Sequence, residues 1–275
     1  MGRPESLEYA AKQDHCTEPT PNPTMTKVIA LFNQSGGVGK STLTLNLGHH
    51  LSRRKQRVLL IDMDPQASLT TFMGLDPVEL DRTVYNAIVG EEPLPIYPDI
   101  HGVDLAPTNI NLCAAELELV STLMREMRLR DTIEPLLPNY DFILIDCPPS
   151  LGILSVISLV AATHVLVPIQ TQFKAFQGTD LLLNTVAGLR AKANKTLRIA
   201  GFIPTLYDGR TAQESRTLKA IQEQLSPLAP VFEPIPKSIA FADASEARKP
   251  LVLLKAKHPG VLVLMQIAKA LEKMP

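Results

Sequence analysis

Residues 35–42 read Ser-Gly-Gly-Val-Gly-Lys-Ser-Thr, and no other stretch constrains the fold of this chain as tightly. Its glycines let consecutive backbone N–H groups curl around an anion. The lysine then neutralises charge, and a serine hydroxyl follows where magnesium would need an oxygen. The loop stands between Lys27-Val-Ile-Ala-Leu-Phe32, a short apolar run that fits a buried parallel strand, and a helical pattern from about Lys40 in which Leu43, Leu47 and Leu51 recur. Strand, loop and helix in that order make Ser35, Gly36, Gly37, Val38, Gly39, Lys40, Ser41 and Thr42 the expected cradle of a nucleotide's phosphates.

Four further short apolar runs read as strands: Val58–Asp62, Phe142–Asp146, Val165–Ile169 and Ile199–Ile203. Helical patterns lie between them, including Leu112 to Leu129 and Gly178 to Leu189. Alternating strands and helices predict an α/β fold with a doubly wound, mainly parallel sheet flanked by helices, and ligands then bind at the carboxyl ends of the strands. Residues 1–24 are Thr- and Pro-rich without periodicity and read as a disordered extension, with Met25 as the functional start. The Pro-rich stretch Glu91 to Pro98 is too short for an interdomain linker, so residues 25–275 read as one P-loop ATPase domain.

Composition closes off other classes. Hydrophobic residues make 45% of the chain and charged residues 20%, which is ordinary for a globular protein. The absence of Trp and an aromatic content of 5% disfavour a single-strand binder built on stacking. Cys16, Cys113 and Cys147 have no metal-ligand spacing, which argues against a disulfide framework or zinc site and for a reducing cytoplasm. No apolar run reaches the roughly 18 residues of a membrane span. The net charge of −1 hides an asymmetry: residues 190–257 carry 12 Lys plus Arg against 6 Asp plus Glu, a local balance of +6.

Two more blocks carry chemistry. Leu59-Leu-Ile-Asp-Met-Asp-Pro-Gln66 is an apolar strand ending in two carboxylates, and one of them near the γ-phosphate would orient the attacking water, unless both only cap the following helix. Pro65 predicts that the strand stops before it. Phe142-Ile-Leu-Ile-Asp-Cys-Pro-Pro-Ser150 also ends in an acid, and Asp146 is placed to hold magnesium directly or through water.

Phe32-Asn-Gln-Ser-Gly-Gly-Val-Gly-Lys-Ser-Thr42, Asp62-Met-Asp-Pro-Gln66 and Asp146-Cys-Pro-Pro-Ser-Leu-Gly152 together resemble the ParA/MinD family of deviant-Walker P-loop ATPases, and its ParA branch more closely. The resemblance implies an ATP- and Mg²⁺-dependent protein that dimerises on ATP with the nucleotides sandwiched and hydrolyses slowly until a partner or DNA stimulates it. It implies that Asp62 activates water, Lys40 serves catalysis, Ser41 and Asp146 serve magnesium, and Thr42 contacts a phosphate. It also makes the Pro-rich Phe232-Glu-Pro-Ile-Pro-Lys-Ser238, with Pro236, a loop around the adenine base or else a rigid connector.

One departure is informative. The family places a signature lysine at the position of Ser35, from where it reaches the partner's phosphates across the dimer. A serine hydroxyl donates a hydrogen bond but cannot neutralise charge. Lys174, just past the strand Val165–Ile169, is the candidate replacement, and an ordinary exposed lysine is the alternative. Ser35 also resembles the McdA-type carboxysome-positioning ATPases, with plasmid or chromosome partition ATPases as the alternative. Both roles imply nonspecific DNA held through the basic surface within 190–257, a cytoplasmic, nucleoid-associated protein, and an adaptor or cargo protein that stimulates hydrolysis. Candidate cations are Arg190, Lys192, Lys195, Arg198, Arg216, Lys219, Arg248, Lys249, Lys255 and Lys257.

Three other readings fit less well. A MinD-like membrane switch needs a basic amphipathic C-terminus, whereas Val261 to Met274 reads as a core-packing helix without a membrane role. An iron-protein-like reductase needs two cysteines facing a shared cluster. A metabolic ligase such as dethiobiotin synthetase is disfavoured by the Asp-Met-Asp-Pro-Gln and Asp-Cys-Pro-Pro-Ser-Leu-Gly blocks.

Overall fold

A computed structural model describes residues 25–172 and 178–275. Seven strands form one sheet in the order β3-β4-β2-β5-β1-β6-β7: β1 Lys27–Leu31, β2 Val58–Asp62, β3 Tyr97–Ile100, β4 Val103–Ala106, β5 Phe142–Asp146, β6 His164–Gln170 and β7 Arg198–Thr205. All pair in parallel except β3, which runs antiparallel to β4. The five expected strands are present. The hairpin β3–β4 was not legible, because Tyr97-Pro-Asp-Ile is half exposed at the sheet edge and carries no apolar run.

Both faces of the sheet are covered, which is why β2 and β5 are buried at every position. Strand alternation sends Val28, Ala30, Leu59, Ile61, Ile143 and Ile145 into one core. There they meet α3 Val84–Ile88, α4 Leu112–Glu118, α5 Arg128–Ile133, α6 Ile153–Ala161, α7 Thr179–Lys192 and α8 Ala212–Leu225. Ile29, Leu31, Leu60 and Leu144 enter the opposite core, against α1 Lys40–Ser52 and a C-terminal helix Pro259–Glu272. Leu43, Leu47 and Leu51 of α1 pack there beside Leu264, Ile267 and Leu271 of the C-terminal helix, each worth about 1.5–3 kcal/mol when fully buried. The doubly wound, mainly parallel architecture expected from the sequence is therefore present.

One helix differs from expectation. Leu112 to Leu129 is not continuous: α4 ends at Glu118, two 3₁₀ turns follow at Leu119–Ser121 and Arg125–Met127, and α5 begins at Arg128. Thr122 is extended and Met124 is left-handed with φ 53°. Val120 and Leu123 point to solvent, so no buried stripe spans the break to hold one helix together.

Candidate functional site

The 35–42 loop leaves the carboxyl end of β1, the strand flanked by β5 on one side and β6 on the other. Successive connections leave in opposite directions around β1, and this switch point opens the crevice in which α/β sheets bind ligands. Gly37 and Gly39 have φ of 71° and 90°, left-handed values that an L side chain adopts only with strain. Gly39 is also the N-cap of α1, whose first turn has no acidic residue, so its positive end stays open for an anion.

The loop is braced from β6. Asn33 donates through Nδ2 to the Pro168 carbonyl at 2.6 Å and accepts the Ser35 N–H through Oδ1 at 2.9 Å, while Gln170 Nε2 donates to the Gly37 carbonyl at 3.1 Å. Lys40 is buried, and its Nζ donates to the carbonyls of Asn33 at 3.1 Å and Ser35 at 3.0 Å. Burial lowers its pKa, and Asp146 partly offsets that. Ser35 is exposed, at the mouth of the loop.

Two carboxylates close the floor. Asp62 ends β2, before Pro65 as expected, and Asp146 ends β5; the two are register partners and both are fully buried. Asp62 accepts from the Asp64 N–H at 3.1 Å and from the N–H and hydroxyl of Thr70 at 2.8 and 2.7 Å, with Thr70 in α2 Ser68–Phe72. Burial pushes its pKa up to about 7 despite those donors. Asp64 does local work, accepting the Gln66 N–H at 3.0 Å. Asp64 thus closes a local turn ahead of α2, whereas Asp62 accepts the N–H of the third residue of α2 and so makes the capping contact itself.

Both oxygens of Asp146 are buried without a hydrogen-bond partner. Burial first, then the neighbouring charge of Asp62, raises its pKa well above the carboxylate range. The Ser41 hydroxyl eases that shift without reaching hydrogen-bond geometry. An orphaned buried carboxylate beside a serine hydroxyl is the oxygen donor set magnesium prefers, so Ser41 and Asp146 fit that ion. The Cys147 thiol is fully buried and burial raises its pKa, which makes it inert.

Pro236 lies at the same edge. Residues 231–237 run beside β7, joined by parallel bridges Phe202 to Val231 and Tyr207 to Pro236 and by a hydrogen bond from the Ile235 N–H to the Pro204 carbonyl at 2.8 Å. Lys174 lies outside the described residues, as does the stretch 1–24. The ten basic candidates are all exposed. Arg190, Lys192, Lys195 and Arg198 sit where α7 ends and β7 begins, at the pole opposite the phosphate loop. Lys219 and Lys255 are paired with Glu223 and Asp243. Sequence reasoning missed Asn33, Gln170 and Thr70: the first two act through contacts between strand ends distant in the chain, and Thr70 acts through the fold of the turn after β2.

The AAA-domain family model AAA_31 matches residues 26–199. The chromosome partitioning protein ParA of Caulobacter vibrioides is 35% identical over 249 residues, covering 88% of this chain and 92% of its own. Cobyrinic acid a,c-diamide synthase from Mycobacterium smegmatis, solved with bound ADP and magnesium, is 33% identical, with a TM-score of 0.79 and coverage of 90% and 94%. A point variant of Cyanothece McdA, solved as its ATP complex, is 26% identical, with a TM-score of 0.81 and coverage of 92% and 98%. These matches, together with a phosphate loop and two buried acids at the strand ends, show that the chain belongs to the ParA/MinD family of P-loop ATPases, with ATP and Mg²⁺ as its cofactors.

Proposed function

We propose that this protein is an ATP-driven positioning switch: it dimerises on ATP, associates with DNA in that state, and releases on hydrolysis. The observation that carries this reading is the deviant loop itself, with exposed Ser35 at its mouth and the buried acids Asp62 and Asp146 at its floor.

In this reading the amides from Gly36 to Thr42 and Lys40 hold the phosphates, with Val38 buried beneath them. Lys40 must then exchange its two loop carbonyls for phosphate oxygens, which its burial favours by strengthening the new charge pair. Ser41 and Asp146 hold magnesium, and Asp62 orients the water that attacks the γ-phosphate to give ADP and phosphate. Pro236 borders the base. Lys174 supplies the cation that Ser35 lacks, and the Lys174→Ala variant should lose ATP-dependent dimers; unchanged dimers would remove that role.

The cargo we favour is the carboxysome, on the McdA likeness and on Ser35, with chromosome or plasmid partition as the second reading, supported by the ParA relative. Exposed Arg190, Lys192, Lys195, Arg198, Arg216, Arg248, Lys249 and Lys257 supply candidate phosphate contacts on DNA. An adaptor that carries the cargo would stimulate hydrolysis. Among the described residues no helix is long and apolar enough to cross a membrane. The C-terminal helix buries Val261, Leu264, Ile267, Ala268 and Leu271, which disfavours a membrane-binding role for it.

The test is ATPase activity with and without duplex DNA, beside size-exclusion chromatography in ATP and in ADP. A larger species in ATP alone, binding DNA in a way that weakens from 50 to 200 mM salt, supports the switch. DNA binding without ATP, or binding indifferent to salt, overturns it.

A further inference from the structure

Gly37 is exposed on the phosphate loop with φ of 71°. Glycine visits left- and right-handed backbone about equally, so by itself it leaves the Gly37–Val38 peptide free to face either way at little cost. One side chain decides. Gln170 Nε2 donates to the Gly37 carbonyl at 3.1 Å. In a planar trans peptide the N–H points opposite to the carbonyl, so a Gly37 carbonyl held toward Gln170 turns the Val38 N–H away from it. Among the described residues nothing accepts that N–H, whereas the Ser35 N–H is already taken by Asn33 Oδ1 at 2.9 Å.

Gln170 has a fixed base from which to do this. It is the last residue of β6 and the register partner of Thr205 in β7. Thr171, which follows it, is fully buried, with its N–H on the Thr205 carbonyl at 3.1 Å and its hydroxyl on Glu214 of α8 at 2.9 Å. The same strand holds Asn33 through the Pro168 carbonyl at 2.6 Å, so the loop is tied to β6 on both sides of Ser35. We propose that Gln170 is a positioning residue of the phosphate cradle: by holding the Gly37 carbonyl it keeps the Val38 N–H turned to the nucleotide's phosphates. Without that bond the peptide can flip, and an inward carbonyl oxygen then meets the anion where a donor should stand. The inference rests on the reading of the loop amides as the phosphate cradle.

The test compares wild type, Gln170→Met and Gln170→Glu by calorimetric titration with MgADP, which carries the two phosphates that such a cradle holds. Each dissociation constant is read as a ratio to wild type at the same pH, which cancels the titration of the nucleotide. Methionine keeps the length of the side chain and removes the donor. At pH 7.5 Gln170→Met should bind about three- to tenfold more weakly, the scale of one neutral hydrogen bond. Gln170→Glu should lose at least as much there, because an ionised carboxylate has no proton to give. Beside a carbonyl oxygen and a bound phosphate that carboxyl titrates above its ordinary value of about 4.3. At pH 5.0 it is protonated and donates, so Gln170→Glu should recover to within about twofold of wild type while Gln170→Met does not. A Gln170→Met ratio within twofold at pH 7.5 overturns the proposal, as does a Gln170→Glu ratio at pH 5.0 no better than that of Gln170→Met. If wild type binds MgADP no more tightly than adenosine, the loop is not the phosphate cradle, and the positioning role falls with it. Thermal melting checks the fold of each variant. If Gln170→Met does not fold, Gln170→Leu takes its place under the same criteria.

Discussion

Asp62 and Asp146 stand side by side at the last positions of β2 and β5, fully buried, and burial first, then the charge of Asp62, raises the pKa of Asp146. Two acids so placed repel each other until a cation arrives. The Asp146→Asn variant should therefore be more stable without ligand by about 1 kcal/mol, since it removes the cost of ionising a buried acid whose oxygens have no partner. It should also bind ATP at least tenfold more weakly in magnesium and about equally in EDTA. Thermal melts and nucleotide titrations under both conditions check this.

Ser35 leaves the mouth of the loop without the family's cation. The Ser35→Lys variant should tighten ATP-dependent self-association by about tenfold, the scale of one charge-assisted hydrogen bond. Sedimentation velocity in ATP reads the effect; no change would mean that the site opposite cannot use a cation from this position.

Gly201 in β7 has φ of 154°, and a Cβ added there would meet Phe232 Cε2 at 2.6 Å and the Pro230 carbonyl oxygen at 2.8 Å. The β6–β7 register shifts between Val165 and Leu166, opposite this glycine. Gly201→Ala must push the 231–237 segment off β7. We expect a loss of about 2 kcal/mol of stability in urea unfolding and, because Pro236 moves with the segment, weaker ATP binding.

His50 in α1 is buried with Nε2 unpartnered, and burial, then the His49 charge, pushes its pKa down to about 4. The unfolded chain takes up a proton near pH 6.5 and the folded chain does not until about pH 4. Stability from this group is therefore full above pH 6.5 and is lost as pH falls toward 4, by at most about 3 kcal/mol. His50→Leu should flatten that slope between pH 7 and 5 in urea midpoints.

Lys27 Nζ donates to the Leu271 and Glu272 carbonyls at 3.3 and 2.9 Å, capping the C-terminal helix whose Leu264 is fully buried against α1. Leu264→Ala should cost about 3 kcal/mol by leaving a cavity, measured by urea unfolding. A cost below about 0.5 kcal/mol would mean the helix is not part of the core.

The sequence alone determined the phosphate loop, the five strands β1, β2, β5, β6 and β7, and the positions of Asp62 and Asp146. In each case the determinant is local: glycines where the backbone turns left-handed, apolar runs because both sheet faces are buried, and an acid where each run meets the crevice. Tertiary structure decided the rest. The strand order set Asp62 beside Asp146, brought Gln170 and Asn33 to brace the loop from β6, and placed Thr108 on Thr70 across 38 residues of chain. The edge hairpin β3–β4 and the break after α4 were hidden for a related reason. Half-exposed edge residues carry no periodic signal, and Leu117, Val120 and Leu123 look like part of a core stripe although only Leu119 beside them is buried. Hydrogen bonds between strand ends depend on which strands become neighbours, and that is a property of the packed sheet.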